Sequence, residues 1–204
     1  MGGRVKINVN ETHFNDPEMI IIGITGTLGS GKGTIVDYLV RNFHFGHFSV
    51  RAYVTEEILA RGLPVSRDTM VVVANDLRAR HSPSYIVDEL YRQALQAGRD
   101  AIIESIRTPG EVDSLKQKGN FYLFAVDANP LLRYERIRMR KSETDWISFD
   151  TFLEDEQREY SSEDPNKQNL RRCIEMADFR FDNNGTVERL YLQVQETIDQ
   201  IMNI

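Results

Sequence analysis

Nine residues near the start of the chain, Gly26-Thr27-Leu28-Gly29-Ser30-Gly31-Lys32-Gly33-Thr34, restrict the fold more than any other stretch. They follow an apolar, β-branched run at residues 19–25, the pattern of a buried strand, and precede helical spacing of apolar residues at 35–42. Glycine tolerates the backbone angles of a tight turn, so successive N–H groups can point into one concavity. The N-terminus of the following helix adds partial positive charge toward the same place. A lysine at the mouth of that helix reaches the β- and γ-phosphates of a nucleoside triphosphate and stabilises charge as a phosphoryl group moves. A plain glycine-rich turn does not require this order of strand, glycines, lysine and helix. All nine residues are therefore expected to form a phosphate-binding loop, or P-loop, for ATP.

The remainder alternates in type. Strand patterns fall at residues 45–50, 101–104, 121–127 and 179–181. Helical patterns fall at 55–61, 68–80, 84–97, 130–140, 149–160 and 187–201, with Gly98 closing one and Pro130 opening another. Alternation of this kind predicts an α/β fold, a three-layer sandwich around a five-stranded parallel sheet. Ligands of such sheets sit at the carboxyl ends of strands, here Thr25-Gly26, Glu104-Ser105 and Asp127. A chain of 204 residues suits one domain, residues 19–204, after a short leader at 1–18. Residues 161–169 read as a polar loop.

Composition narrows the function classes. The net charge is −6 and the pI about 5.3, so no basic excess points to a nucleic acid. No apolar run is long enough for a bilayer span, and the first sixteen residues lack a signal-peptide pattern. The single cysteine, Cys173, excludes a disulfide framework and a multi-cysteine zinc site. A cytoplasmic setting is the expectation. His13, His44, His47 and His81 show no ligand or triad spacing.

Charged residues mark the candidate chemistry. Glu104 ends an apolar strand beside the P-loop, where a carboxylate can orient magnesium-bound water. Arg107 can pair with an acceptor phosphate or carboxylate, or, more plainly, with Glu111 at the surface. Arg133, Arg136 and Arg140 share one helix face, while Tyr134 and Ile137 can pack inward from another. A solvated face paired with Glu135 and Glu143 is the alternative for these arginines. Residues 51–85 carry Arg51, Arg61, Arg67, Arg78 and Arg80, some of which an anionic acceptor needs. For Arg78 and Arg80 a favourable helix C-terminus explains the charge equally well.

The loop departs from the commonest pattern: Gly33 follows Lys32, and Thr34 comes next. This Gly-Lys-Gly-Thr form resembles the adenylate kinase family and other nucleoside monophosphate kinases. Ala177-Asp178, an apolar strand, and Asn184-Gly185-Thr186 resemble the last strand and loop of dephospho-CoA kinases. Glu104-Ser105-Ile106-Arg107 is similar in layout, though not in letters, to the Asp-Gly segment of monophosphate kinases. The resemblance implies a helical acceptor-binding insertion at about 51–98 and an arginine-bearing lid at about 133–160. It implies that Asn184 and Gly185 pack against adenine, and that Lys32, Arg136, Arg140 and Arg107 act on the transferring group. Arg51, Arg78, Glu104 and Arg107 are then expected at the acceptor. Magnesium is expected near Thr34 and Glu104, through water, because Gly33 replaces the usual hydroxyl. The implied activity is ATP-dependent phosphorylation of a nucleoside or deoxynucleoside monophosphate, so the expected partner is a small nucleotide acceptor and neither a nucleic acid nor a membrane. Dephospho-CoA kinase and a non-catalytic nucleotide-binding regulator stand as alternatives.

Overall fold

The computed structural model describes residues 19–140 and 147–203. The expected leader, and residues 141–146 of the expected lid, lie outside the described residues.

Five parallel strands form one sheet in the order β2-β3-β1-β4-β5. They are β1 (Ile21–Thr25), β2 (Gly46–Ser49), β3 (Ala101–Glu104), β4 (Phe121–Asp127) and β5 (Phe179–Asp182). The central strand β1 pairs Ile22 with Ile102 of β3 on one side and with Tyr122 of β4 on the other. Strand alternation sends successive side chains to opposite faces. Ile22, Ile24, Ile102, Phe124 and Val126 pack against α1 (Lys32–Phe43) and α9 (Val187–Met202). Ile21, Ala101, Ile103 and Leu123 pack on the other face, beneath α2 (Val50–Ala60), α3 (Arg67–Arg80), α4 (Tyr85–Ala97) and α5 (Pro109–Lys116). The three layers and the five-stranded parallel sheet are those the alternation predicts. Each fully buried Ile or Phe contributes roughly 1.5–3 kcal/mol by leaving water. Three further helices complete the chain: α6 (Pro130–Arg140), α7 (Phe149–Tyr160) and α8 (Leu170–Glu175). No helix among the described residues is long and apolar enough to cross a membrane.

Local chemistry sets the helix ends. Gly98 closes α4 in the left-handed region, at φ 62°. Thr186 caps α9 by accepting the Arg189 N–H. Periodicity missed two helices, α5 and α8, and placed the start of α2 five residues late, at 55 instead of Val50. Both missed helices are short. Yet α5 has a local sign: Thr108-Pro109-Gly110-Glu111 forms a capping box with Pro in the first turn. Within the segment expected to hold the acceptor, α4 instead packs on β2 and β3 as the crossover helix of the sheet.

One buried ion pair braces the loop after β3. Arg78, 1% exposed, donates from Nε and Nη2 to Glu111 Oε1 at 3.0 and 2.7 Å. The other oxygen of Glu111 accepts the backbone N–H groups of Arg107 (2.8 Å) and Thr108 (3.1 Å). The surface pair considered for Glu111 is thus replaced by an interior one, and its side-chain partner is Arg78. Removing one member leaves the other charge buried and unpaired, which costs about 3–5 kcal/mol. Glu111→Ala should lower unfolding stability in urea by about 3 kcal/mol or more, and Glu111→Gln by less, since the amide oxygen still accepts the capping N–H groups. A loss under about 1 kcal/mol for both would show that the brace is dispensable.

Candidate functional site

A cavity of about 510 Å³ opens at the carboxyl end of the sheet, between β1 and β3. Its floor is the P-loop from Leu28 to Thr34, its apolar wall Val50, Val54, Met70, Val71 and Ala74 of α2 and α3. Arg136 and Arg140 reach it from α6, Glu104, Ser105 and Arg107 from the end of β3, and Glu159 and Gln168 from the far side. Crevices at this position, where the chain departs to opposite sides of the sheet, are the usual ligand sites of α/β folds.

The P-loop is shaped by close approaches. Gly29, at φ 78°, lies against the Arg133 carbonyl, and Gly31, at φ 107°, lies against the Asn183 side chain. A Cβ at either would collide, and positive φ strains any other residue. Thr27 Oγ1 donates to Asp127 Oδ1 at 2.8 Å, and Asn183 Nδ2 donates to the Ser30 carbonyl at 2.8 Å, tying the loop to β4 and the end of β5. Gly33 has open space around its α-carbon, so no packing demands glycine there. The N-terminus of α1 has no side-chain cap and no acid in its first turn. Such an end suits an incoming anion.

Lys32 Nζ donates to the loop carbonyls of Gly26 (2.9 Å) and Thr27 (2.8 Å). Burial, then the Arg107 charge, brings its pKa down to about 7 despite the opposing pull of Glu104 and Glu159. Glu104 Oε2 lies 3.0 Å from His47 Nε2 and accepts its N–H when the imidazole carries a proton on that nitrogen. Burial pushes the Glu104 carboxyl up, but His47 and Lys32 outweigh it and hold the carboxyl below its ordinary value. Ser105 sits in the left-handed region at φ 73°, the place that glycine takes in the resembling segment. Its N–H and that of Ile106 both reach the Ile24 carbonyl, at 3.0 and 3.1 Å, which turns the chain sharply past Glu104.

The arginines divide into four groups. Arg133, 2% exposed, is enclosed: it binds both carboxylate oxygens of Glu156 and donates to the carbonyls of Ala128 (2.8 Å) and Leu28 (3.3 Å). Arg136 and Arg140 line the cavity, and Arg136 Nη2 donates to the Asn183 carbonyl at 2.9 Å. Arg51, Arg67 and Arg107 line the opposite wall. Arg67 and Arg107 both bind Glu159, and Arg107 also binds Gln168 Oε1 at 2.8 Å. Arg61 and Arg80 pair with Asp76 outside the cavity.

Other expected residues fall outside this cavity. Arg78, assigned to an acceptor, lies outside the cavity and is spent on Glu111. Asn184 and Gly185 also lie outside it: Asn184 is exposed and accepts the Asn129 N–H at 2.7 Å. The inward residue is Asn183, in register with Phe179 and Phe181, so strand alternation already carried the sign. Sequence reading also missed His47, Glu159 and Gln168. The first has no spacing relation to Glu104, and the other two belong to α7 and to the segment read as a polar loop.

Among the described residues no three metal-type side chains cluster. The Thr34 hydroxyl and the Glu104 carboxylate do line the same cavity. This donor set fits a magnesium ion held mainly by water and by a nucleotide's own oxygens.

Residues 22–164 match a protein family described as AAA domain. The chain is 28% identical to a UPF0200 protein of Methanococcus maripaludis, over 91% of this chain and 100% of that one. It is equally similar, 28%, to a UPF0200 protein of Thermococcus kodakarensis over 91% of this chain and 99% of that one. Among solved structures it resembles a gluconokinase from Sinorhizobium meliloti (TM-score 0.55, 12% identity, 90% of this chain and 94% of that one). It also resembles a shikimate kinase from Bacteroides thetaiotaomicron (TM-score 0.54, 14% identity, 91% and 99%). At such identities the likeness is one of fold, the P-loop kinase-like sandwich seen here. With its P-loop, its parallel sheet and a match over most of its length, the chain belongs to the AAA domain family.

Proposed function

We propose that the chain is an ATP-dependent phosphotransferase that passes the γ-phosphoryl group to a small acceptor held between the P-loop and α2–α3. The observation that carries this reading is Lys32, half-buried with its ammonium on its own loop carbonyls and facing a cavity lined by Arg107, Arg136 and Arg140. Two neutral carbonyls are weak partners for a buried ammonium, and triphosphate oxygens are better ones. Lys32 would exchange the former for the latter. The first-turn N–H groups of α1 would hold the β-phosphate, and Arg136 and Arg140 would stabilise charge on the moving group. When bound, magnesium would neutralise phosphate charge, with Thr34 and Glu104 orienting its water. This is catalysis by positioning and charge.

Two acceptor classes follow from the resemblance. A nucleoside or deoxynucleoside monophosphate would use Arg51 and Arg107, which line the acceptor wall. Dephospho-CoA would react through a hydroxyl, and the His47-bound carboxylate of Glu104 favours an acceptor of that kind.

A product-resolved assay with Mg-ATP tests the reading. Lys32→Ala should lower transfer by about a hundredfold or more. Loss of less than about tenfold would sink it, and ATP binding without transfer to any acceptor would favour a regulator instead.

Nucleotide binding should also take up a proton. At pH 8 a lysine with a pKa of about 7 is mostly neutral, and bound phosphate raises that pKa. Calorimetric ATP titrations at pH 8 should therefore show uptake approaching one proton, read as a binding enthalpy that differs between HEPES and Tris buffers. Identical enthalpies after correction for the ligand's own ionisation would contradict the lowered Lys32 pKa.

A further inference from the structure

The wall opposite the P-loop holds a charge arrangement that donor binding does not require. Arg67, at the start of α3, and Arg107, after β3, converge on the Glu159 carboxylate of α7. Arg67 donates to Glu159 Oε1 from Nε (3.2 Å) and Nη2 (2.9 Å), and Arg107 Nη1 binds the other oxygen. Asp155 lies 3.2 Å from Arg67, and Gln168 accepts from Arg107. Asp155 is also paired with the exposed Arg158, so each carboxylate of the cluster is already engaged by arginine, Glu159 by Arg67 and Arg107 and Asp155 by Arg67 and Arg158. Burial pushes the Glu159 carboxyl up, but Arg107 and Arg67 more than offset this and keep it ionised at neutral pH.

A converging arginine pair is the usual recognition element for a phosphate or carboxylate. Here the place of that anion is already filled from within. A tethered carboxylate competes at an effective concentration of roughly millimolar or more, so a free anion must displace it and leave it buried without partners. Glu104 points the same way. At neutral pH a phosphate monoester is already largely ionised and needs no base. A hydroxyl must lose a proton as it attacks. Between these groups lies the apolar surface of Val54, Met70, Val71 and Ala74.

We propose that the acceptor is an uncharged hydroxyl compound with an apolar face, of which a nucleoside is the simplest, and that Glu159 excludes acceptors presenting a phosphate or carboxylate to Arg67 and Arg107. The proposal rests on the phosphotransferase reading and puts an uncharged acceptor in place of both anionic classes named there. In the transfer, the acceptor O–H bond breaks and its proton passes to the Glu104 carboxylate. The acceptor oxygen bonds to the γ-phosphorus as the bond from that phosphorus to the bridging oxygen breaks, and the electron pair leaves with ADP. Glu104 then returns the proton to solvent through His47, its exposed partner.

The test compares a set of nucleosides with their 5′-monophosphates as acceptors for the wild type, Glu159→Gln and Glu156→Gln. Glu156 ties α7 to Arg133 without touching Arg67 or Arg107, so its variant loosens the helix and leaves the cluster charge alone. The wild type should favour a nucleoside over its monophosphate by about tenfold or more in kcat/KM, Glu159→Gln should narrow or reverse that ratio, and Glu156→Gln should not. Wild-type preference for the monophosphate, or an unchanged ratio in Glu159→Gln, overturns the proposal. Calorimetric binding of uridine and UMP to protein saturated with a non-hydrolysable ATP analogue reads the same charge selection without chemistry. UMP binding more tightly than uridine to the wild type overturns the proposal, whereas absence of transfer to every acceptor counts against the phosphotransferase reading alone.

Discussion

The buried Glu111 carboxylate holds the site side of this fold together. One oxygen neutralises Arg78 of α3 and the other caps the start of α5 through the N–H groups of Arg107 and Thr108. The loop after β3 is thereby tied to two helices, and Thr25 Oγ1 adds a 2.8 Å bond to the Ile106 carbonyl from the central strand. Arg107 and Glu104 project from a segment that cannot shift without breaking charge-assisted hydrogen bonds away from water. For the proposed transfer that is where rigidity is needed, because in-line displacement tolerates little misplacement of the groups around it.

Around the cavity, positive charge is abundant but largely matched. Lys32 rests on carbonyls, Arg133 on Glu156, and Arg67 and Arg107 on Glu159. Helix α7 supplies these carboxylates from one face. It is held to α6 by Tyr134 packed against Phe149 and Phe152, with ring centroids 5.2 and 5.7 Å apart. The segment expected as an arginine lid is thus also an acidic partner for the arginines of other elements. Desolvation explains why: unpaired guanidinium groups at this depth are costly, and a nearby carboxylate is the cheapest compensation the chain has.

Strong local signals were legible. The P-loop, the strands at 101–104 and 121–127 and the helices at 130–140 and 149–160 appear in the structure with the boundaries that periodicity predicts. Short elements were harder, since α5 and α8 span only 8 and 6 residues and offer barely two turns of apolar pattern. Side-chain partners were harder still. Arg78 lies in a helix and Arg107 in the loop after a strand, yet neither pattern says which is interior and which faces the cavity. Nothing local distinguishes them, because the difference is whether Glu111 or Glu159 stands opposite.

The sequence alone determined what short-range physics controls: a strand, a glycine turn and a helix that together present N–H groups and a lysine, and an alternation that yields a parallel sheet. Tertiary structure decided which charges meet. Glu159 reaches Arg67 across 92 residues and Arg107 across 52, and Asn183 reaches Ser30 across 153. Backbone pattern is set by neighbours in the chain, whereas charge compensation is set by neighbours in space, and only the packed sheet and its helices bring those together.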